Sequence, residues 1–208
     1  MSEASSRDID RAAELLDGGG VVVYPTETLY GLGVDAGSAP ALERLAALKG
    51  REAAKPVSIL VDSREMLADW VRDVPSYAER LMTTFWPGAL TIALPAKPHV
   101  SRRLTGGGRS IGVRISSHRL ARRLVSRFGR ALTATSANPS GLDAPAAVDE
   151  ARRYFGSSVD AYLDGGRLSG GRGSTVIDAS GERPLLIREG AIAAAAIEAA
   201  AAIELARG

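Results

Sequence analysis

The sequence contains no cysteine, which excludes disulfides, thiolate zinc sites, iron–sulfur ligation and cysteine nucleophiles together. Histidine is nearly as scarce: His99 and His118 are the only two, and neither has an evident partner for a zinc site. A metal held by protein ligands alone is therefore not expected. Long apolar runs are missing as well, since nothing approaches the ~20 residues of a membrane span. The N-terminal MSEASSRDIDRAAELL carries early acidic residues and no apolar stretch, unlike a signal peptide. With neither export signal nor cysteine, a cytoplasmic location without membrane contact is the expectation. The common nucleotide signatures also fail. GGGRSIGV lacks the lysine of a phosphate-binding GxxxxGK[ST] loop, and no GxGxxG follows a strand to open a helix.

Charge of one sign is not in excess. Lys plus Arg number 26 and Asp plus Glu 24, a net +2, although the pI is about 9.1. A nucleic-acid footprint would concentrate cations on one face. The run Arg119, Arg122, Arg123, Arg127 and Arg130 comes closest, at helical spacing. It reads as a solvated helix face; the competing reading is a double-stranded RNA-binding module without catalysis.

Glycine is abundant: 23 of 208 residues, or 11%, against a usual figure of about 7%. Hydrophobic residues at 45% and charged residues at 24% are ordinary for a globular chain, and the length suits one domain over 1–208. Periodicity predicts a helix over 8–17 and a strand over 21–26, then a loop at ETLYGLGVDA. A helix over 39–49, a strand over 57–61 and one or two helices over 63–85, broken at Pro75, follow. Trp86-Pro87-Gly88 reads as a turn and 89–96 as a strand. Then come a glycine loop over 106–110, a strand over 111–115, a helix from His118 to Gly129 and a strand over 131–138. A long loop, a helix at DEARRYFG and short strands at AYLDGG, STVIDAS and PLLIREGAI complete the alternation. Residues 191–208 read as an Ala-rich terminal helix. Strands alternating with helices predict an α/β fold of α+β type.

Five segments carry candidate chemistry. In PTETLYGLG (25–33), hydroxyls, a carboxylate, a phenol and glycines follow a strand end, as suits a small polar ligand. Lys49, Arg51 and Lys55 place three cations between a helix and a strand. They either favour the helix dipole or grip a polyphosphate. Arg114 lies in an apolar strand on the face of Gly112, where a missing side chain leaves room for a carboxylate or phosphate. The alternative is a charge that protects a sheet edge. In TATSANPSG (133–141), Ser136 and Asn138 are read as binding residues, because no nearby His–acid pair activates a nucleophile. GGRGSTVID (170–178) adds Ser174 and Thr175, and Arg188 adds a further cation. Paired acids for glycosidase-type chemistry are absent from these segments. A site of cations and hydroxyls suits phosphoryl or nucleotidyl transfer instead.

At these residues the chain resembles the YrdC-like domain family, specifically the bacterial threonylcarbamoyl-AMP synthases. The blocks are PTETLYGLG, KGR…KP, FWPGALTIAL, SIGVRISSH, TSANPSG, STVID and IREG, in family order over nearly the whole chain. The resemblance implies a twisted mixed sheet, flanked by helices, around a large positively charged cavity. It implies an adenylyltransferase that makes L-threonylcarbamoyladenylate and diphosphate from L-threonine, bicarbonate or CO2, and ATP with Mg2+. A separate tRNA threonylcarbamoyl transferase, a transient partner, would then modify adenosine at tRNA position 37. Tight tRNA binding is not expected.

Residue by residue, the resemblance casts Lys49 and Arg51 as catalytic phosphate contacts, with Lys55 beside them. Ser110, Ser136, Asn138, Ser174 and Arg188 are nucleotide or phosphate contacts, with Thr175 in support. Thr28 and Arg114 bind threonine, Arg114 through its carboxylate. The sequence also departs from the pattern. Ala144 stands where relatives place a hydroxyl. Ser116 replaces a proline and is expected to change only a turn. Glu189 replaces a proline and is expected to set a negative charge beside Arg188. The second domain of longer relatives is expected to be lacking. Carbamoyl-transferring members for hydrogenase maturation are longer and carry cysteine-rich zinc segments, which separates them from this chain.

Overall fold

A capping box opens the first helix. The Ser5 hydroxyl accepts from the Asp8 amide, and the Asp8 carboxylate takes the Ser5 amide at 2.8 Å. The computed structural model describes residues 4–50 and 55–207, and α1 runs over Ser6–Asp17. β1 (Val22–Pro25) and β2 (Tyr30–Gly33) form an antiparallel pair around the Thr26–Leu29 turn. α2 (Ala39–Lys49) is capped by Ser38 and ends at Gly50, whose φ of 55° gives it the left-handed conformation glycine adopts freely. After β3 (Ser58–Leu60), Pro75 separates the short α3 (Arg64–Ala68) from α4 (Ser76–Phe85).

β4 (Leu90–Pro95), α5 (Arg102–Thr105), β5 (Ser110–Arg114), α6 (Arg119–Phe128) and β6 (Leu132–Ser136) follow. The chain then forms α7 (Val148–Phe155), β7 (Ala161–Tyr162), β8 (Thr175–Asp178), β9 (Leu185–Arg188), α8 (Ala194–Ala201) and β10 (Ala206–Arg207).

The strands join in the order β10-β9-β8-β4-β5-β3-β6-β2-β1-β7. Pairing is mixed: β3 with β5 and β4 with β8 are parallel, while β4 with β5 and β3 with β6 are antiparallel. Alternation along β1 divides the core. Val22 and Tyr24 pack with Ile9 and Leu16 of α1 and Leu120 and Leu124 of α6. Val23 points the other way, into the larger cluster with Leu42 and Leu45 of α2, Leu81 of α4 and Ile197 of α8. The result is a twisted mixed sheet flanked by helices, as the family resemblance implies.

Two expectations are corrected. ETLYGLGVDA is not all loop, because Tyr30–Gly33 is β2. Gly31 and Gly33 resemble turn residues but serve packing. A Cβ on Gly33 would lie 2.7 Å from Tyr24 Cε1, and one on Gly31 2.9 Å from Tyr24 Cζ. The Tyr24 ring lies flat across the bare strand, and its hydroxyl donates to the Thr133 carbonyl at 2.8 Å. Residues 191–208 are likewise not one helix. α8 ends at Ala201, Ala202 turns left-handed at φ 49°, and the chain returns as β10 beside β9. Glu198 accepts from the Leu205 amide at 3.0 Å, and Leu205 is buried. Alanine favours helix but buries little surface, so burial of Leu205 and strand pairing prevail over propensity. The sequence pattern also passed over the one-turn α5.

Candidate active site

Strand ends bring the candidate segments to one cavity of about 640 Å3. It is lined by the turn after β1, the end of α2, Lys55–Ser58, Thr91, Arg114, the β6 end and following loop, and Ser174, Ile187 and Arg188. The charged residues in this lining are Lys49, Lys55, Arg114 and Arg188, and no carboxylate joins them among the described residues. Thr28, Ser136, Asn138 and Ser174 line the same cavity. Of the predicted residues, Ser110 is separate: it pairs with Pro95 at the start of β5, away from Arg114 at the other end, and does not line the cavity. Arg51 lies outside the described residues.

Arg114 is buried, with 6% exposure, and its Nε has no hydrogen-bond partner. A buried guanidinium with an unused donor points to an acceptor supplied by a ligand. Its acidic neighbour is Glu27, whose Oε2 is 3.9 Å from the Arg114 guanidinium. Burial pushes the Glu27 carboxyl up, but Arg114, the Ser116 hydroxyl and the Ser117 amide outweigh this and hold it below the usual carboxylate range. The space above Gly112 is not left for a ligand. A Cβ there would meet Ser58 Oγ at 2.5 Å and Thr91 Cγ2 at 3.2 Å, so the glycine admits two neighbouring cavity residues. Ser116 does more than change a turn: its hydroxyl donates to Glu27 at 2.7 Å.

Lys49 is buried, and its ammonium donates to the carbonyls of Ser136 and Asn138, each at 2.6 Å. The Lys49 carbonyl accepts from the Ser140 amide at 2.8 Å. Lys49 therefore braces the loop after β6 as well as lining the cavity. Asn138 spends its Nδ2 on the Pro139 and Leu142 carbonyls, at 3.0 and 2.6 Å. Its Oδ1 is buried without a partner. An acceptor in this position matches a hydroxyl or amine of a nucleotide better than an ionised phosphate oxygen, which also accepts.

Ser174 Oγ lies 2.9 Å from Thr91 Oγ1, and Arg188 donates to the Ser174 carbonyl at 2.9 Å. Burial, and then the charge of Arg114, lower the pKa of Arg188, so the two guanidiniums share one electrostatic environment. Thr175 turns away: its hydroxyl donates to the Ile192 carbonyl and accepts from the Gly190 and Ile192 amides. Glu189 also turns away from the expected place. It accepts from the Ala194 amide at 3.2 Å, at the start of α8, and lies 3.7 Å from Arg172. Ala144 does line the cavity and presents a methyl group there.

Sequence reasoning missed Thr91, Ser58 and the role of Glu27. Thr91 was discoverable as a polar residue inside the apolar strand ALTIALPA. Glu27 was visible in PTET, but its partners come from residues about ninety positions away. The arginine run of α6 is largely occupied by α1. Arg123 donates to Ser6 at 2.9 Å, Arg127 pairs with Asp10 at 2.6 Å, and Arg130 pairs with Asp17 at 2.7 Å. Among the described residues no helix is long and apolar enough to cross a membrane, and no three His, Cys, Asp or Glu side chains gather as a metal site.

The family described as "Telomere recombination" (Sua5_yciO_yrdC) matches residues 14–190. The threonylcarbamoyl-AMP synthase of Halorhodospira halophila is 40% identical over 182 residues, covering 88% of this chain and 90% of its own. That of Bacillus subtilis is 36% identical over 200 residues, covering 95% of this chain and 58% of its own. Among solved structures, Sua5 of P. abyssi complexed with L-threonine has a TM-score of 0.92 at 36% identity, over 96% of this chain and 58% of that one. YciO of E. coli has a TM-score of 0.81 at 30% identity, covering 90% of this chain and 91% of that one. The chain thus spans nearly all of some relatives and little more than half of others.

Proposed function

The chain belongs to the Sua5–YciO–YrdC family, and from that premise we propose that it is an L-threonylcarbamoyladenylate synthase. It joins L-threonine, CO2 or bicarbonate, and ATP, releasing diphosphate. The observation that carries this reading is the cavity whose charged lining, among the described residues, consists of Lys49, Lys55, Arg114 and Arg188. Such a lining favours ligands that bring several negative charges, and a volume of about 640 Å3 is within the usual range for small-molecule sites.

In this reading the threonine amine captures CO2 and loses a proton to give a carbamate. A carbamate oxygen forms a bond to the α-phosphorus, the bond to the diphosphate bridging oxygen breaks, and diphosphate leaves with that electron pair. Arg114 holds the amino-acid carboxylate, beside Thr28. Lys55 and Arg188, with Arg51, offset the charge that grows on the phosphates. Lys49 fixes the loop that presents Ser136 and Asn138. Glu27 is a weak base, because its carboxyl titrates low, so the amine proton passes to solvent or bicarbonate. Magnesium enters as part of the ATP substrate. Among the described residues the lining holds no carboxylate, which suits an ion held by phosphate oxygens. The adenylate then passes to a tRNA-modifying transferase.

Mass spectrometry of the protein with ATP, L-threonine and bicarbonate should detect the adenylate, with diphosphate release dependent on both co-substrates. Diphosphate release independent of threonine, with no adenylate, would refute the assignment. Arg114→Ala should raise the KM for threonine, and an unchanged KM would remove its carboxylate role.

A further inference from the structure

Arg114 and Glu27 form an unusual pair. A guanidinium and a carboxylate brought together in a buried site ordinarily close to about 2.7–2.9 Å, often with two parallel bonds. Here the side chains are only 7% and 16% exposed, yet they stand 3.9 Å apart. The residues that follow Arg114 account for the gap. Ser116 Oγ donates to Glu27 Oε2 at 2.7 Å, and the Ser117 amide donates to Oε1 at 3.0 Å. The Ser116 hydroxyl has one proton, and its oxygen already accepts from the His118 amide at 3.1 Å. The proton is therefore committed to Glu27. Ser116 is itself 2% exposed, so water does not readily replace this bond.

We propose that Ser116 is a positioning residue that restrains Glu27, so that the Arg114 guanidinium stays open to a ligand carboxylate. The inference rests on the reading that Arg114 takes the threonine carboxylate. Oε2 is the oxygen that both Ser116 and Arg114 approach, and the hydroxyl is the stronger, shorter contact. Without that hydroxyl, Oε2 loses the donor at 2.7 Å, while the oppositely charged guanidinium stays 3.9 Å from the same oxygen. The carboxylate then closes on Arg114 and competes with the substrate. Ser117 cannot compensate, because its amide holds the other oxygen. Glu27 thus partly neutralises a buried cation without occupying its binding edge.

The test is a calorimetric titration of the full chain with L-threonine, and separately with ATP. Ser116→Ala should weaken threonine about fivefold, within the net range of one ordinary intramolecular hydrogen bond. ATP affinity should be unchanged, and Ser116→Thr, which keeps the hydroxyl, should restore threonine binding. In a Glu27→Gln background the Ser116→Ala change should have no further effect, because the competing charge is gone. Unaltered threonine affinity in Ser116→Ala, equal losses for threonine and ATP, or the same fivefold loss in the Glu27→Gln background would each overturn the restraint. Arg114→Ala separates the two readings. If it binds threonine like the parent protein, the carboxylate role falls and the inference falls with it. If it binds threonine weakly while Ser116→Ala does not, only the restraint fails.

Discussion

Replacing Lys49 with methionine distinguishes two accounts of that residue. The ammonium is buried and donates to two backbone carbonyls at 2.6 Å each, which ties the end of α2 to the loop after β6. Methionine keeps the length of the stem and removes the donors. The Ser136 carbonyl retains the Asn138 amide as a donor at 3.0 Å, so it is not orphaned. The Asn138 carbonyl loses the charged donor that satisfies it. A hydrogen bond to a charged group contributes about 1.5–3 kcal/mol, and the two bonds share one ammonium, so their sum is not additive. A loss of about 2–4 kcal/mol is expected. For a chain of this size that is roughly 5–15 °C in Tm.

The measurement is urea and thermal unfolding without ligand. If Lys49 served only to meet phosphates, its removal would leave a less crowded set of like charges with Lys55, Arg114 and Arg188. Stability would then hold or rise. An unfolding midpoint for Lys49→Met at or above that of the parent would refute the bracing role. A lower midpoint also warns that lost activity in this variant is not by itself proof of phosphate contact.

Gly33→Ala would set a Cβ 2.7 Å from Tyr24 Cε1, on a ring that is fully buried and tethered through its hydroxyl. It should destabilise by about 1–3 kcal/mol, and an unchanged melting temperature would show that the ring can retreat. Glu27 has a depressed folded pKa, so its contribution to stability is present above about pH 4.3 and lost as pH falls through the folded value. The stability gap between the parent and Glu27→Gln should therefore narrow on acidification; a gap constant from about pH 5 to 2 in urea unfolding would contradict the assignment.

Local rules made much of this fold legible. Apolar runs marked β4 and β5, helical periodicity over 39–49 marked α2, and Pro75 divided the helices as predicted. The failures involve long-range contacts. The glycines of β2 look like turn residues until the Tyr24 ring is placed on them. The alanine tail looks like one helix until Leu205 finds its burial. At the site, residue type and clustering located Thr28, Lys55, Arg114, Ser136, Asn138, Ser174 and Arg188 around one cavity. What residue type alone did not supply was direction. Glu189 faces α8 rather than Arg188, and Thr175 faces the 190–192 segment.

Direction matters most for the polar residues, because it decides which half of a ligand each can meet. Lys55 is exposed and Arg114 has an unused buried donor, so both remain able to take anions. Asn138 has spent its donors on the Pro139 and Leu142 carbonyls and offers an acceptor. A bare polyphosphate would satisfy the cations and leave Asn138 Oδ1 buried without a partner, at a cost of about 1–3 kcal/mol. A ligand that joins anionic groups to hydroxyls or amines satisfies both. A nucleotide together with an amino acid has that composition, and inorganic triphosphate does not. The cavity should accordingly bind ATP more tightly than triphosphate at equal charge, with the difference reduced in Asn138→Ala, as competition calorimetry would measure.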